Sequence, residues 1–352
     1  MVHQKYIYLQ HLQIFKAKTW NNLKIQIKME KDIEYLSRRD FSRLSATALG
    51  VIPLMSLGNI LNYTPKASTT NDIEVHLFSK HLQFLNYNDM SEAAANLGFE
   101  GLDLTVRPEG HVLPERATDD LPHAVAAMKC FGLQSRIITT NITDTRHSES
   151  KNVLKIARNL GITHYRAGWL KYSHDKDFSE QIEEHSKVFG SLENISEELG
   201  LHGGYQNHVG STLGLPISYI YQLLKMTTTK YMGSQYDIRH AMVIDGDNWE
   251  IGFEQVRPYI NSIVIKDFKW GIKNGKKVPV NTPLGEGVVN FNRYFSLLKK
   301  YKINVPVSLH LEYDLGGAEQ GAPKITMDKK EVFGQIKKDL TFLKETWKRA
   351  EP

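Results

Sequence analysis

The strongest constraint on this chain is a beat. From Glu74 to Tyr313, short apolar runs of strand type alternate with segments of 3.6-residue periodicity. The runs are EVHLFSK (74–80), GLDLTV (101–106), QSRIITT (134–140), THYRAGW (163–169), HGGYQNH (202–208), GSQYDI (233–238), NSIVIKDF (261–268) and PVSLHLEY (306–313). Helical patterns between them include DMSEAAANLGF, PISYIYQLLKM and FNRYFSLLKKY, and Gly200 marks the helix stop in LENISEELGL. Strands alternating with helices predict parallel strands joined by crossover helices. Eight such units in roughly 250 residues match one (β/α)8 barrel. The competing open, doubly wound sheet often has a glycine-rich phosphate loop after its first strand, and FSKHLQFL has no glycine. The expected fold is therefore α/β, a single (β/α)8 TIM barrel over 74–352.

Residues 1–73 read as something else. Ser37-Arg38-Arg39-Asp40-Phe41 precedes a short stretch of small and apolar residues starting at Leu44 and interrupted by Pro53. That order resembles a twin-arginine export signal over about 36–58, too short to span a bilayer comfortably. Met29 would give a more ordinary signal length, and 62–72 reads as a polar linker. The expectation is a periplasmic or otherwise exported protein with no stable membrane insertion after processing.

Charge narrows the partners. Of the chain's 44 Lys/Arg and 39 Asp/Glu, residues 1–73 hold ten and five, so 34 of each remain for the barrel. A neutral domain gives no global electrostatic reason to bind nucleic acid. The single cysteine, Cys130, allows neither an intramolecular disulfide nor a Cys-based zinc site, and it reads as a small buried residue near a helix end.

In a barrel of this kind, functional side chains project from the C-terminal strand ends, and alternation along each strand selects them. On the last strand Val307, Leu309 and Leu311 suit helix packing, which turns Ser308, His310 and Glu312 inward. The sixth strand ends in Asp237, with Gln235 on its parity and His240 just beyond. The fifth offers Gln206 and His208 on one parity, Tyr205 and Asn207 on the other. Lys80, Arg107, Arg166 and Lys266 bring cations to other strand ends, and Asp103, Thr105 and His111 belong to the second strand and its loop. A single polar residue of this sort more often serves structure than chemistry. Carboxylates, imidazoles and cations recurring together at strand ends are what point to a site.

These residues resemble the xylose isomerase-like barrel superfamily, which includes sugar phosphate isomerases/epimerases and tagatose-type 3-epimerases. The resemblance covers nearly all of 74–350. It rests on Asp237-x-x-His240, Asn207-His208, the Gly285-Glu286-Gly287 element in PLGEGVVNF, and Glu312 at the end of strand eight. The stretch GLDLTVRPEGHVLPE (101–115) is also similar to members encoded with secretion signals. The resemblance implies a divalent cation such as Mn²⁺ or Mg²⁺ held by Glu, Asp, His and Glu from strands five to eight. Asp237 and Glu312 match two of these ligands, and His240 matches a substrate-contacting neighbour. The strand-seven histidine is replaced by Val264, which cannot bind metal, and strand five has no Glu. His208 and Gln206 are the remaining candidate ligands beside Asp237 and Glu312. If the metal is gone, Lys80, Lys266, Arg107 and Arg166 can supply positive charge instead.

The chemistry the resemblance implies is proton transfer beside a carbonyl, with a metal as Lewis acid and an ene-diolate intermediate. Glu312 or His208 would be the base. His240, Lys266, Arg166, Arg107, Lys80 and His310 would contact substrate. Epimerases of the superfamily use two carboxylate bases, and only Glu312 is evident, which leaves room for isomerisation or for elimination from a 3-keto-glycoside. The expected partner is a small carbohydrate; because phosphorylated sugars are mainly cytoplasmic, an exported protein is expected to act on a free sugar, keto-sugar or glycoside. A non-catalytic sugar-binding barrel is the second reading, and a DNA-repair nuclease a distant third.

Overall fold

The computed structural model describes residues 72–209, 215–228 and 230–352. The export-signal reading and nearly all of the linker lie outside the described residues. All eight expected strands form: β1 (Val75–Phe78), β2 (Gly101–Thr105), β3 (Gln134–Thr139), β4 (His164–Arg166), β5 (His202–Gln206), β6 (Met232–Asp237), β7 (Ile260–Ile265) and, after a hairpin of β8 (Asp267–Lys273) and β9 (Lys276–Thr282), β10 (Val307–Leu309). Each barrel strand pairs in parallel with its neighbours, and β10 pairs with both β7 and β1, closing the barrel. Parallel pairing needs a crossover between consecutive strands, and the amphipathic segments provide it.

The crossovers are α1 (Tyr87–Leu97), α2 (Ala117–Cys130), α3 (Ser148–Asn159), α4 (Phe178–Leu199), α5 (Ile217–Leu224), α6 (Ile238–Asp245) with α7 (Trp249–Val256), and α8 (Phe291–Lys300); α9 (Lys329–Arg349) follows β10. Their ends follow local chemistry. Asn86 caps α1 by accepting from Asp89 N, and Asp177 caps α4 by accepting from Ser179 N. Gly200 ends α4 at φ +63, where a side chain would be strained. No helix among the described residues is long and apolar enough to cross a membrane. Cys130 does close α2, but it is exposed, which corrects the expectation of burial: the last turn directs it to solvent.

The core lies between barrel and helices, where the outward-facing Val307, Leu309 and Leu311 are buried. The opposite parity fills the barrel with polar groups. Asp103 accepts from Thr139 Oγ1 at 2.9 Å and from Ser308 Oγ at 2.6 Å, tying β2, β3 and β10 together across the interior. The β8–β9 hairpin was not expected from sequence. Its turn is Asn274-Gly275, both at positive φ, a strong hairpin signal between alternating residues.

Candidate active site

Asp237 organises the mouth. As the last residue of β6 it is also the N-cap of α6, and its Oδ1 accepts from His240 N at 3.0 Å. The Asp-x-x-His spacing is thus first of all the reach of a capping carboxylate to the third helical amide. Its Oδ2 faces the interior, where Gln206 Nε2 donates at 2.8 Å and Lys266 Nζ lies at 3.1 Å. Asn207, just after β5, fixes the same residue, accepting from Asp237 N at 2.7 Å and donating to Asp237 O at 2.9 Å. The positioning role of Asn207 was not identified from sequence.

Lys266 occupies the centre of the site. It is 2% exposed, and its Nζ lies 3.1 Å from Asp237 Oδ2, 3.4 Å from Glu312 Oε2 and 2.8 Å from His240 Nε2. Val264, fully buried, stands one residue pair below on the same parity, beside Asp237 and Ser308 in the register. The two carboxylates that would hold a divalent ion are therefore spaced around an ammonium at hydrogen-bond distances. Gln206 turns its amide nitrogen, not its oxygen, to Asp237, and its Oε1 accepts from Arg166. Among the described residues no group of three or more His, Cys, Asp or Glu is arranged to hold a metal. The residues present do not fit the expected Mn²⁺ or Mg²⁺: the place between the carboxylates is taken by a fixed monocation.

Glu312 lies just beyond β10 with its side chain 25% exposed. It lines an open pocket of about 580 Å³ with Lys80, Asn281, Asp314, Glu319 and Gln320. Burial alone would raise its carboxyl, but Lys266, His310 and Lys80 outweigh that and hold it well below the usual range, so it is ionised at neutral pH. Lys80 Nζ lies 3.9 Å from Glu312 Oε1. Burial pushes Lys80 down to about 8 despite the pull of Glu312, with Lys266, Arg107 and Arg166 adding repulsion.

The imidazoles are neutral supports. His208 packs its ring 4.1 Å from that of His240 and 4.4 Å from Trp169, and burial, then Lys266, bring it down to about 4. His240 is ringed by Lys266 Nζ, Arg239 Nη1 at 3.0 Å and Val209 N at 3.2 Å. Burial first, then Lys266, His208 and Arg239, hold it well below its ordinary value. His310 is 3% exposed, stacks on Phe78 at 4.1 Å and reaches Ser308 Oγ at 3.1 Å. The structure places it behind Glu312, Nδ1 to Oε1 3.7 Å, rather than on the pocket wall.

Three guanidinium groups complete the mouth. Arg166, 4% exposed, donates to Gln206 Oε1 and Thr140 O, both at 3.2 Å, and lies over the Trp169 ring. Arg107 lies over Phe78. Arg239, absent from the sequence-based candidates although it sits between Asp237 and His240, donates to Asn281 Oδ1 at 2.8 Å. Asn281 comes from the hairpin and also donates to Glu312 O at 3.1 Å.

Two further motifs serve the scaffold. The Asp267 carboxylate accepts from the backbone N–H of Phe268, Gly285, Gly287 and Val289 at 2.8–3.2 Å. A Cβ on Gly287 would lie 2.1 Å from Asp267 Oδ1, so the glycine is what lets the loop close on the carboxylate. Glu286 points outward to Lys338 at 2.7 Å. His111 bonds Ser79 and Leu82, pinning the loop after β2 to the segment after β1.

This architecture can be compared with known proteins. A family model described as a xylose isomerase-like TIM barrel matches residues 91–344. Similar solved structures include D-psicose 3-epimerase from Clostridium cellulolyticum H10 with D-tagatose, at 13% identity and TM-score 0.58 over 78% of this chain and 98% of that one. A 3-keto-D-glucoside 4-epimerase from E. coli aligns at 12% identity and TM-score 0.56 over 78% and 99%. A xylose isomerase-like barrel from Mycobacterium smegmatis in complex with magnesium aligns at 13% and 0.56 over 80% and 98%. At these identities the likeness is one of fold. A search of curated proteins finds no match.

Proposed function

Because the chain belongs to the xylose isomerase-like TIM barrel family, we propose that its mouth is the active site of a carbohydrate-modifying enzyme of the sugar isomerase or epimerase type, one that moves a proton on the carbon beside a carbonyl. The observation that carries this reading is the pairing of an ionised, pocket-lining Glu312 with the proton-bearing amines of Lys80 and Lys266 on either side of it. Two solved structures of the same fold are a D-psicose 3-epimerase and a 3-keto-D-glucoside 4-epimerase, which supports the reading.

Glu312 removes the proton α to the carbonyl, and the electron pair moves onto the carbonyl oxygen to give an ene-diolate. Lys266 holds that oxygen. Its contact with Glu312 is the longest of its three polar contacts, so this is the N–H that a substrate oxygen would take. A buried, pre-positioned ammonium stabilises developing negative charge without having to reorganise. Glu312 then returns its proton to the neighbouring carbon, while Lys80 moves a proton between the substrate oxygens.

Asp237 cannot act as a second base, because Gln206, Lys266 and the α6 amide occupy it. That favours one-base chemistry. Lys80 supports a second reading: with its amine held near 8, it can protonate a departing glycosidic oxygen, which makes the same site competent for elimination from a 3-keto-glycoside. The exported location remains part of the proposal and rests on Arg38-Arg39 and its flanks.

The test is solvent deuterium incorporation. The full chain is incubated in D₂O with a panel of keto-sugars and 3-keto-glycosides. Deuterium at the carbon beside the carbonyl, reduced at least 100-fold in Glu312→Gln, is the expected result. Exchange that is equal in wild type and Glu312→Gln, or absent across the panel with sugar still bound, would replace this reading with a binding barrel.

A further inference from the structure

The β8–β9 hairpin leaves the mouth after β7, and its far end, 272–277, is exposed at every residue. Of the eight large hydrophobic residues exposed among the described residues, four lie on this hairpin or its return: Trp270, Ile272, Val280 and Val288. Ile272, at 74%, is the most exposed of them. The charge here is of one sign. Lys269, Lys273, Lys276 and Lys277 are all exposed, and none forms an ion pair among the described residues. The one acid of the hairpin, Asp267, is buried and turned to backbone amides. On the return loop, Glu286 is paired with Lys338.

Directly opposed residues of a ribbon share a face. Phe268 opposes Asn281, Trp270 opposes Pro279 and Ile272 opposes Lys277, so these six form one face. At its root that face is tied to the barrel: Phe268 is buried against the Arg239 guanidinium, and Asn281 bonds Arg239 and Glu312 O. Further out, the ring contacts of Trp270 among the described residues are all within the hairpin, to the Phe268 ring at 5.3 Å and the Lys277 ammonium at 4.4 Å, and it stays 39% exposed. A free two-stranded ribbon is marginal in water. Lysines and Pro279 on its edges guard against edge pairing, but that duty calls for polar residues among them, not Trp and Ile. The pocket acids do not neutralise the far end. Asp314 and Glu319 line the pocket with Asn281, and Lys276 stands five residues along β9 from Asn281, about 17 Å and about two Debye lengths at physiological salt.

A patch that is both apolar and uniformly cationic fits a partner with an apolar interior under an anionic surface. Tryptophan prefers the boundary between the two, and lysine can lay its stem along apolar chains while its ammonium stays among headgroups. A soluble polyanion would satisfy the lysines alone and leave Trp270 and Ile272 unaccounted for. We propose that the β8–β9 hairpin is a docking finger for an anionic lipid bilayer, with Trp270 and Ile272 entering the headgroup boundary and the four lysines facing lipid phosphates. Such docking is peripheral and reversible, since an open two-stranded ribbon cannot cross the hydrocarbon. It is independent of the sugar reading of the pocket.

The experiment is sedimentation of the full chain with vesicles of phosphatidylcholine alone and of an equimolar mixture with phosphatidylglycerol, at low and physiological salt. Partitioning onto the anionic vesicles is expected to be about 10-fold stronger or more, with the advantage shrinking as salt rises. A lysine near an anionic surface is worth roughly fivefold in binding, so changing Lys273, Lys276 and Lys277 together to Gln should weaken it by on the order of 100-fold. These tip residues are solvent-facing, so that variant should melt like wild type. The same change at Lys151, Lys155 and Lys225, exposed lysines elsewhere on the barrel, should leave binding nearly unchanged. Trp270→Ser combined with Ile272→Ser should weaken it about 10-fold or more at either salt, and Trp270→Phe should retain most of it. No anionic preference in the wild type, or binding that survives both sets of hairpin changes, overturns the proposal. So does a loss confined to the lysine variant, or capture by soluble polyglutamate as tight as by the vesicles, which would assign the hairpin to an acidic macromolecule instead.

Discussion

Replacing Lys266 tests the central feature of the site. Its ammonium touches Asp237, Glu312 and His240 from a position 2% exposed to solvent, and Asp237 is fully buried. In Lys266→Met the aliphatic stem is kept and the charge removed, so Asp237 is left as a buried carboxylate with only Gln206 and a helix amide to solvate it. Breaking a buried ion pair from one side costs about 3–5 kcal/mol. For a domain of this size each kcal/mol lowers Tm by about 2–4 °C, so the variant should melt on the order of 10 °C lower. Lys266→Ala should be destabilised as well, but it empties the space between two carboxylate oxygens and an imidazole nitrogen that lie 2.8–3.4 Å from the former Nζ. Contracting that shell by about 1 Å gives ordinary metal–ligand distances. Manganese should therefore rescue Lys266→Ala by about 2.7 kcal/mol at a free concentration 100 times its Kd, and leave wild type unmoved. Urea unfolding followed by circular dichroism, with and without Mn²⁺, gives both numbers. Two results would refute the reasoning: a loss below about 1 kcal/mol in Lys266→Met, or the same manganese stabilisation in wild type as in Lys266→Ala.

Two further predictions concern pH. If Lys80 acts as proton donor, the rate should fall as pH rises through about 8, where its amine discharges, and Lys80→Arg should shift that alkaline limb upward; a pH–rate profile with no limb near 8 would remove Lys80 from the chemistry. Asp339 in α9 is 1% exposed, accepts from Tyr313 Oη and Leu284 N, and is pushed up to about 7, chiefly by burial. A carboxyl raised by folding binds its proton more tightly in the native state, so stability should decline between about pH 4 and pH 7. Asp339→Asn should flatten that decline and be more stable above pH 7, by roughly 4 kcal/mol at most, as read from urea midpoints at pH 5 and 8.5.

The barrel was legible because parallel strands buried on both faces read as short apolar runs, and every crossover carried a helical period. The hairpin after β7 is an antiparallel excursion outside the strand–helix beat; Asn274-Gly275 is its local signal, and it carries Asn281 to the pocket. Strand position alone puts Glu312, Asp237, Lys266 and the two arginines at or near the C-terminal strand ends. Sequence could not say what each touches, and that decides the chemistry. Val264 was visibly a lost ligand, and Lys266 was visibly a cation two residues on, on the same face. Two strand residues span about 6.6 Å, close to the reach of a lysine stem, so the ammonium reaches Asp237 beside Val264 as well as Glu312. The cation two residues beyond Val264 therefore lies where the two carboxylates converge. The motifs that carried the resemblance meanwhile turn out to hold the scaffold: Asp237 caps a helix through His240 N, and the Gly285–Gly287 loop closes on Asp267. The chemistry depends on the side chains between those motifs, and here the central one is an ammonium held between Asp237 and Glu312.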